Sequence, residues 1–469
     1  MKKIVVDIAV LGGGPGGYPA AIRAASRGKT VALIEANELG GTCLNRGCIP
    51  SKALIAGSEV VENLKNADAF GVEVKEWSFN YSRLAQHKDQ IVEKMRKGLE
   101  GLIAANRIQL VRGFGTFMDN RQIKVTGQDE CIVTANQIIV ATGSEPRNIP
   151  AFSFDGKWIL DSTALLELDR LPKSIVIIGG GVIGCEFASL YANLGVEVTI
   201  LELLPRILST EAEEVADAIS KAFRKKGIRI ETGVAVEKVE KTGSGVRALV
   251  GDKSFDAEIC LVAVGRSLNT RKIGLDRIGV AVNDQGIVIV DERMQTSVDG
   301  IYAIGDIASP YWLAHVASHQ GIVAAENACG YTATMHYNAI PSVIFTHPEV
   351  GSVGLSLAEA KKRGYRAVLG AFPFQALGKS QAIHHPEGFA QIVVDEKTGE
   401  ILGAQVVGYE ASTLIAEMVL AIQNELTVEC IAETIHAHPT ISEAWHEAAL
   451  WAEGLPIHLP PKKRVVNEK

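Results

Sequence analysis

Cysteine is scarce in this chain: seven in 469 residues, an odd number spread from position 43 to position 430. A disulfide-stapled scaffold is excluded, so any bridge that does form belongs to catalysis or redox sensing. No charge of one sign dominates. Forty-seven Lys and Arg face 54 Asp and Glu, a net of −7, and no basic block interrupts the body of the chain. A nucleic-acid binder needs cations clustered against phosphates, so none is expected here. Long apolar runs are missing too. The longest stretch without a charged side chain, residues 327–348, holds two Pro, two His and two Asn and cannot span a bilayer. The first six residues imitate a signal peptide, but Asp7 interrupts the run and glycines follow where a cleavage site would stand. A cytoplasmic protein with no membrane partner is expected. What remains is ordinary globular composition, 47% hydrophobic and 22% charged. The length suggests roughly three domains at ~150 residues each. Glycine is abundant, 46 residues, which points to many tight backbone approaches.

The glycines fall into a repeated pattern. Residues 4–11 read as a strand and lead into Gly12-Gly13-Gly14-Pro15-Gly16-Gly17. An Ala-rich helix over 18–27 follows, then a strand over 30–34 that ends on Glu35. The same order returns with a strand over 174–178, Gly179-Gly180-Gly181-Val182-Ile183-Gly184, a helix to 194 and a strand ending on Glu202. The acid stands 23 positions after the first glycine in both units. Two Rossmann-like dinucleotide-binding βαβ units in an α/β fold are therefore expected. The first glycine (Gly12, Gly179) makes the tight turn and the second (Gly14, Gly181) lets backbone approach a pyrophosphate. The third (Gly17, Gly184) allows close helix–strand packing, and the acid takes a ribose hydroxyl. A carboxylate at Glu202 repels a 2′-phosphate, so the second unit is expected to prefer NAD over NADP. Each unit closes on a strand and a glycine turn, at Thr142-Gly143 and at Gly265-Arg266, and the first unit is about 45 residues longer.

The extra length contains Cys43 and Cys48, five residues apart. In an unbroken helix their Cα atoms would be ~8 Å apart, beyond the ~7 Å a disulfide tolerates. A bridge therefore needs a distorted loop, which Gly47 permits. Three readings stand at this point: a labile redox bridge, half of a metal site with no second Cys pair, or two unrelated buried thiols.

The run Gly40-Gly41-Thr42-Cys43-Leu44-Asn45-Arg46-Gly47-Cys48-Ile49-Pro50-Ser51-Lys52 resembles the redox-active segment of the flavin disulfide reductase family, the class I pyridine nucleotide-disulfide oxidoreductases. Leu44-Asn45 and the run from Ile49 to Lys52 resemble its lipoamide-specific branch. Glutathione and trypanothione reductases tend to carry Val-Asn before the second cysteine and Val-Pro-Lys-Lys after it. The likeness extends from residue 4 to about 451. It implies FAD in the first unit, with Gly12, Gly14 and Gly17 on its pyrophosphate and Glu35 on its ribose. Gly41, Thr42, Lys52, Gly115, Thr142, Gly143, Asp306 and Ala314 would complete that site. It implies NAD in the second unit, held by Gly179, Gly181, Gly184, Glu202, Val234 and Gly265. Cys48 would be the thiolate against the flavin and Cys43 the sulfur that exchanges with substrate. Lys52 would pair with Glu186, a residue otherwise readable as an ordinary helix position.

The family's His-Pro-Thr-x-x-Glu falls on His438 and Glu443, implying a general base oriented by a carboxylate. Pro439 is expected to extend the backbone of His438, and Ser442 or Thr440 to cap the helix that carries Glu443. A competing reading takes His436, His438, Glu443 and His446 as metal ligands; the resemblance implies no metal, and His436 alone reads as structural. In this family the base comes from the partner subunit, so a homodimer with a composite active site is implied. The apolar stripe Leu414, Ile415, Met418, Val419 and Ile422 reads as core before interface. The implied divisions are 1–150 for FAD and the redox disulfide, 151–275 for NAD, 276–345 completing the FAD site, and 346–469 as an α+β interface domain. The tail from Leu459 reads as a mobile end.

The activity implied is oxidation of protein-bound dihydrolipoamide with NAD as acceptor. Its partners would be the lipoyl domains and core of 2-oxo acid dehydrogenase or glycine-cleavage complexes. A glutathione-like reductase would want arginines where Glu202 stands. A mercuric-type enzyme would want a further C-terminal cysteine pair, yet the last cysteine is Cys430. A flavin oxidase or a non-catalytic NADH-binding protein would not need Cys43, Cys48, His438 and Glu443 together. Two residues depart from the pattern: Arg46, where Val is frequent, and Gln320, where relatives often carry Glu.

Overall fold

The opening apolar run becomes the strand Lys2–Leu11, and Asp7 does not break it. Its carboxylate sits at the strand's edge and accepts from the Thr30 amide (2.8 Å) and hydroxyl (2.7 Å). A computed structural model describes residues 2–460 of this chain. The expected mobile tail from Pro461 onward lies outside the described residues, and Leu459 packs partly against the C-terminal core.

Lys2–Leu11 lies between parallel strands Val31–Glu35 and Cys131–Val140, with Gln109–Arg112 beyond the former. Side chains alternate between two buried faces, as a parallel sheet covered on both sides requires. Ile8, Val10 and Leu33 meet Ala20, Ala21 and Ala24 of the helix Gly17–Ser26. Ala9, Leu11 and Ile34 meet Ile123 and Val125 of an antiparallel hairpin on the other face. The strand Ile301–Ala303 joins this same sheet beside residues 138–140, and the helix Ala314–Ala328 packs in the same core as Gly17–Ser26.

The second unit is a five-stranded parallel sheet in the order Arg229–Thr232, Glu197–Glu202, Ser174–Ile178, Ile259–Val262, Ile159–Leu160. The helix Val182–Asn193 covers one face through Leu190 and Tyr191. A three-stranded antiparallel sheet covers the other through Val246, Ala248 and Phe255. The C-terminal unit is a five-stranded antiparallel sheet from Pro341–Ile344 to Ala367–Pro373. The helices Ala411–Gln423 and Glu443–Ala452 share its core, with Trp445 fully buried. Ile415, Met418 and Ile422 are buried there, while Leu414 and Val419 pack partly against it, so the apolar stripe is core within this chain. No helix among the described residues is long and apolar enough to cross a membrane.

Candidate active site

Both glycine turns sit at the carboxyl ends of central parallel strands, where a doubly wound sheet opens to a ligand. Gly12 and Gly179 have φ near +108° and +109°, and a Cβ on either would collide with the carbonyl of Ala141 or Ala263. A Cβ on Gly17 or Gly184 would strike the carbonyl of Gly12 or Gly179, which is the close helix–strand approach. The middle glycines differ. Around Gly14 the nearest atom to such a carbon is 3.8 Å away, and around Gly181 there is nothing within 4 Å. The backbone there is free to approach a phosphate, so both turns fit a dinucleotide. The two acids are held alike. Glu35 accepts from Gly13 N (2.6 Å) and Asn37 N (2.8 Å); Glu202 accepts from Gly180 N (2.5 Å) and Leu204 N (2.7 Å). Each oxygen keeps a lone pair for a ribose hydroxyl.

The cysteines occupy two helices, Gly41–Arg46 and Cys48–Lys65, joined at Gly47. Gly47 (φ −151°, ψ −107°) lies outside the helical region, so the chain bends between the sulfurs as the spacing required. Both cysteines are thiols, Cys43 half-buried and Cys48 exposed. The Cys43 thiol donates to Cys48, which pushes Cys43 up; burial adds to that rise. The same hydrogen bond, with the nearby Lys52 ammonium, outweighs burial and holds Cys48 down to about 7. Gly41 (φ +57°) ties this segment to the first cradle, because a Cβ there would lie 2.7 Å from Gly14 Cα. Lys52 Nζ reaches both oxygens of Glu186, at 2.8 and 3.0 Å. Phe345 closes the pair: its amide donates to Glu186 (3.0 Å) and its ring lies 4.5 Å from the ammonium.

Asp306 sits in a short turn, Gly305–Ala308, and accepts from the Ser144 hydroxyl. Arg266 donates to Ser144 Oγ (2.6 Å) and Ser144 O (2.7 Å). Thr142 Oγ1 donates to Asn269 O (2.9 Å), Gly143 has φ +67°, and Ala314 opens its helix. Gly265 has φ +105°, and Val234 N donates to Glu202 O (3.0 Å). Gly115 is turned toward Leu11, Ile34 and Ile123 in the core. Gln320 is fully buried, accepts from Gly305 N (2.8 Å) and donates to Tyr337 Oη (2.8 Å). An ionised glutamate there would have to accept from the Tyr337 hydroxyl where Gln320 donates to it. Arg46 lines a surface cleft with Arg96, Asp89 and Glu93.

His438 Nδ1 meets Glu443 Oε1 at 2.8 Å, and the other oxygen accepts from Thr440 N (2.8 Å). Burial raises the Glu443 carboxyl, but these two bonds outweigh it and hold the group low. The hydroxyl cap is a correction. Ser442 is the N-cap but caps nothing with its side chain, because it meets the Thr440 hydroxyl (2.9 Å), which in turn donates to Ala437 O. The His438–Pro439 peptide is cis. His438 is exposed, and among the described residues its hydrogen bonds run to Glu443 and none to Cys43 or Cys48. His436 is held by Glu417 (2.9 Å) and Thr434 O (3.0 Å), as a structural residue would be. The four-residue ligand cluster does not assemble among the described residues; the metal-type grouping there is a different one, His347, His385 and Glu387.

The family model described as pyridine nucleotide-disulphide oxidoreductase matches residues 6–321, and that family's dimerisation domain matches 340–449. The chain belongs to the pyridine nucleotide-disulphide oxidoreductase family. Membership implies use of FAD and a nicotinamide dinucleotide, and the dimerisation domain supports a homodimer. Among family members, the chain is 52% identical to the dihydrolipoyl dehydrogenase of Chlamydia pneumoniae, over 97% of this chain and 99% of that one. It is 42% identical to that of Geobacillus stearothermophilus, over 98% of each. Solved structures are similar as well, two of them as follows. LpdA from Mycobacterium tuberculosis has a TM-score of 0.89 at 29% identity, covering 96% of this chain and 99% of that one. The HOCl-induced flavoprotein disulfide reductase RclA from Escherichia coli has 0.85 at 27%, covering 94% and 98%.

The sequence did not reveal every residue of this family site. Ser144 binds Asp306 across 162 positions, and Arg266 binds Ser144 across 122, with no periodic signature; a buried Ser after the Thr142-Gly143 turn was the one available clue. Tyr18, whose hydroxyl burial and the nearby Cys43 push up, had no motif to mark it.

Proposed function

We propose that the chain oxidises protein-bound dihydrolipoamide to lipoamide with NAD as acceptor, the reaction of the dihydrolipoyl dehydrogenases it resembles. The observation that carries this is Cys48, held down to about 7 by Cys43 and Lys52, on a helix whose preceding turn packs on the first dinucleotide cradle. In the bridged state Cys43 has no proton to donate, so the Lys52 ammonium is what favours Cys48 as the leaving thiolate. With Cys43 and Cys48 bridged, a substrate thiolate therefore attacks Cys43 and expels Cys48 as thiolate. The second substrate thiolate then attacks the mixed disulfide. The lipoyl ring closes, and Cys43 leaves with a proton. His438 of the partner subunit, oriented by Glu443, removes the substrate protons and returns one to Cys43. FAD supplies a two-electron acceptor for the reduced pair and NAD a hydride acceptor. The residues that would hold FAD are Gly12, Gly14, Gly17, Glu35, Gly41, Thr42, Lys52, Thr142, Gly143, Asp306 and Ala314, with Gly115 behind them.

NAD is the dinucleotide of the second cradle, on Gly179, Gly181, Gly184, Glu202, Val234 and Gly265. Glu202 disfavours a 2′-phosphate, and the neighbouring cation Arg206 is turned to Ser209 O and Glu211 O. The dimer brings His438 to the cysteines, and Ile435, 97% exposed three residues before it, suits an interface. The partners are lipoyl domains of a 2-oxo acid dehydrogenase or glycine-cleavage complex in the cytoplasm. The test is anaerobic NAD reduction by the flavin-loaded protein with dihydrolipoamide, beside Cys43→Ser. Turnover in the parent and loss in the variant, with flavin retained, supports the reading. A flavin-loaded parent inactive with dihydrolipoamide overturns it.

A further inference from the structure

We propose that His347, His385 and Glu387 form a binding site for a zinc-class divalent cation, separate from the redox pair. His347 lies between the strands Pro341–Ile344 and Glu349–Gly354, and His385 and Glu387 flank Pro386 just before Phe389–Asp395. The three donor atoms lie within 4.8 Å of one another. Glu387 Oε1 is 3.8 Å from His385 Nδ1 and 4.0 Å from His347 Nε2. These distances are too long for hydrogen bonds, but they approach the edge of a zinc tetrahedron. With ligands ~2.0–2.1 Å from the ion, that edge is about 3.4 Å. The rings are set by their packing. His385 stacks on Tyr409 at 4.7 Å and meets His347 edge-on at 5.8 Å.

Charge of both signs faces the group, the carboxylates of Glu62 and Glu387 and the ammonium of Lys226. Glu62 Oε1 stands 3.4 Å from His347 Nε2, shared with Lys226 at 2.7 Å, and Glu62 Oε2 is buried without a partner. A cleft of about 280 Å³, lined by Asn63, Phe70 and Ile383, reaches the ring of His385, one of the three donors. Two imidazoles and a carboxylate with no thiolate suit Zn²⁺ and its analogue Co²⁺ over soft ions. Glu62 is on the helix that starts at Cys48, fourteen residues on, so the site is about 20 Å from the cysteines at 1.5 Å per residue.

The test titrates Co²⁺ into the flavin-loaded protein with Cys43 and Cys48 oxidised, so that the redox pair offers no thiolate. One Co²⁺ per chain with the visible bands of a four- or five-coordinate nitrogen–oxygen site is expected, displaced by Zn²⁺. His385→Gln and Glu387→Gln should each weaken binding at least tenfold, with flavin content and metal-free melting unchanged. Zn²⁺ should raise the melting temperature of the parent and not of the variants. No Co²⁺ uptake by the parent, or parent-like binding in both variants, overturns the site. The parent titration stands alone should a variant not fold.

Discussion

Removing the Cys43 thiol should raise the pKa of Cys48 more than removing the Lys52 charge does. The hydrogen bond from Cys43 is the largest influence lowering Cys48, and Lys52 acts through space behind it. A donor aimed at a thiolate stabilises only the charged form, so its loss moves the pKa toward the free value of ~8.5. At pH 7 a group with a pKa of about 7 is roughly half thiolate, and one at ~8.5 is about 3% thiolate. Cys43→Ala, which keeps Lys52, should fall between these limits, with Cys48 alkylation at pH 7 slowed about three- to tenfold. Lys52→Met should slow it less, and Cys43→Ser, which keeps a hydroxyl donor, least of the three. The assay is iodoacetamide alkylation of the anaerobically reduced, flavin-loaded protein across pH 5–10, read on the Cys48 peptide because Cys430 is also exposed. A pKa still near 7 in Cys43→Ala would refute the reasoning. So would a larger shift in Lys52→Met.

Three further outcomes follow from other contacts. Glu186→Gln leaves an acceptor for the Phe345 amide but strips the charge partner from Lys52. Denaturant unfolding should show a loss of about 1–3 kcal/mol, and because Glu186 raises the Cys48 pKa, alkylation of Cys48 should speed up at low pH. Glu443→Gln should cut turnover about 10–100-fold, since the His438 ring loses the carboxylate that orients it. The native Glu443 carboxyl is depressed, so its contribution to stability is present above the ordinary carboxylate pKa and is lost as pH falls through the lower folded value; acid titrations of the parent and Glu443→Gln should converge there. Glu202→Ala should raise the ratio of kcat/KM for NADPH over NADH at least tenfold; an unchanged ratio would remove Glu202 from the choice of nucleotide.

What the sequence disclosed was local or repeated. The two glycine turns and their acids could be read because a tight turn, an open phosphate face and a close helix each demand glycine, and the demand recurs at the same 23-residue offset. The need for a bend between Cys43 and Cys48 followed from helix geometry, and Gly47 supplies it. The pairs Lys52–Glu186 and His438–Glu443 came through resemblance, since nothing in their spacing forces contact. What stayed hidden depended on long-range closure. Ile301–Ala303 completes a sheet begun three hundred residues earlier, and Asp306 is held by Ser144, which Arg266 holds in turn from another strand. The helix cap failed for a local reason: Ser442 and Thr440 bond each other and Ala437, leaving Glu443 to take the Thr440 amide. Pattern alone cannot rank such competing short-range hydrogen bonds.

The central claim is that electrons enter through Cys43 and Cys48. Its most direct test is to treat the oxidised, flavin-loaded protein with dihydrolipoamide without NAD, quench it with an alkylating agent, and map the labelled cysteines. The account predicts two new thiols per chain, on Cys43 and Cys48, with Cys131, Cys185 and Cys260 unlabelled in their buried positions. With dihydrolipoamide in excess, so that the pair is reduced again after passing electrons to FAD, no label on that pair, or label on other cysteines instead, would contradict it.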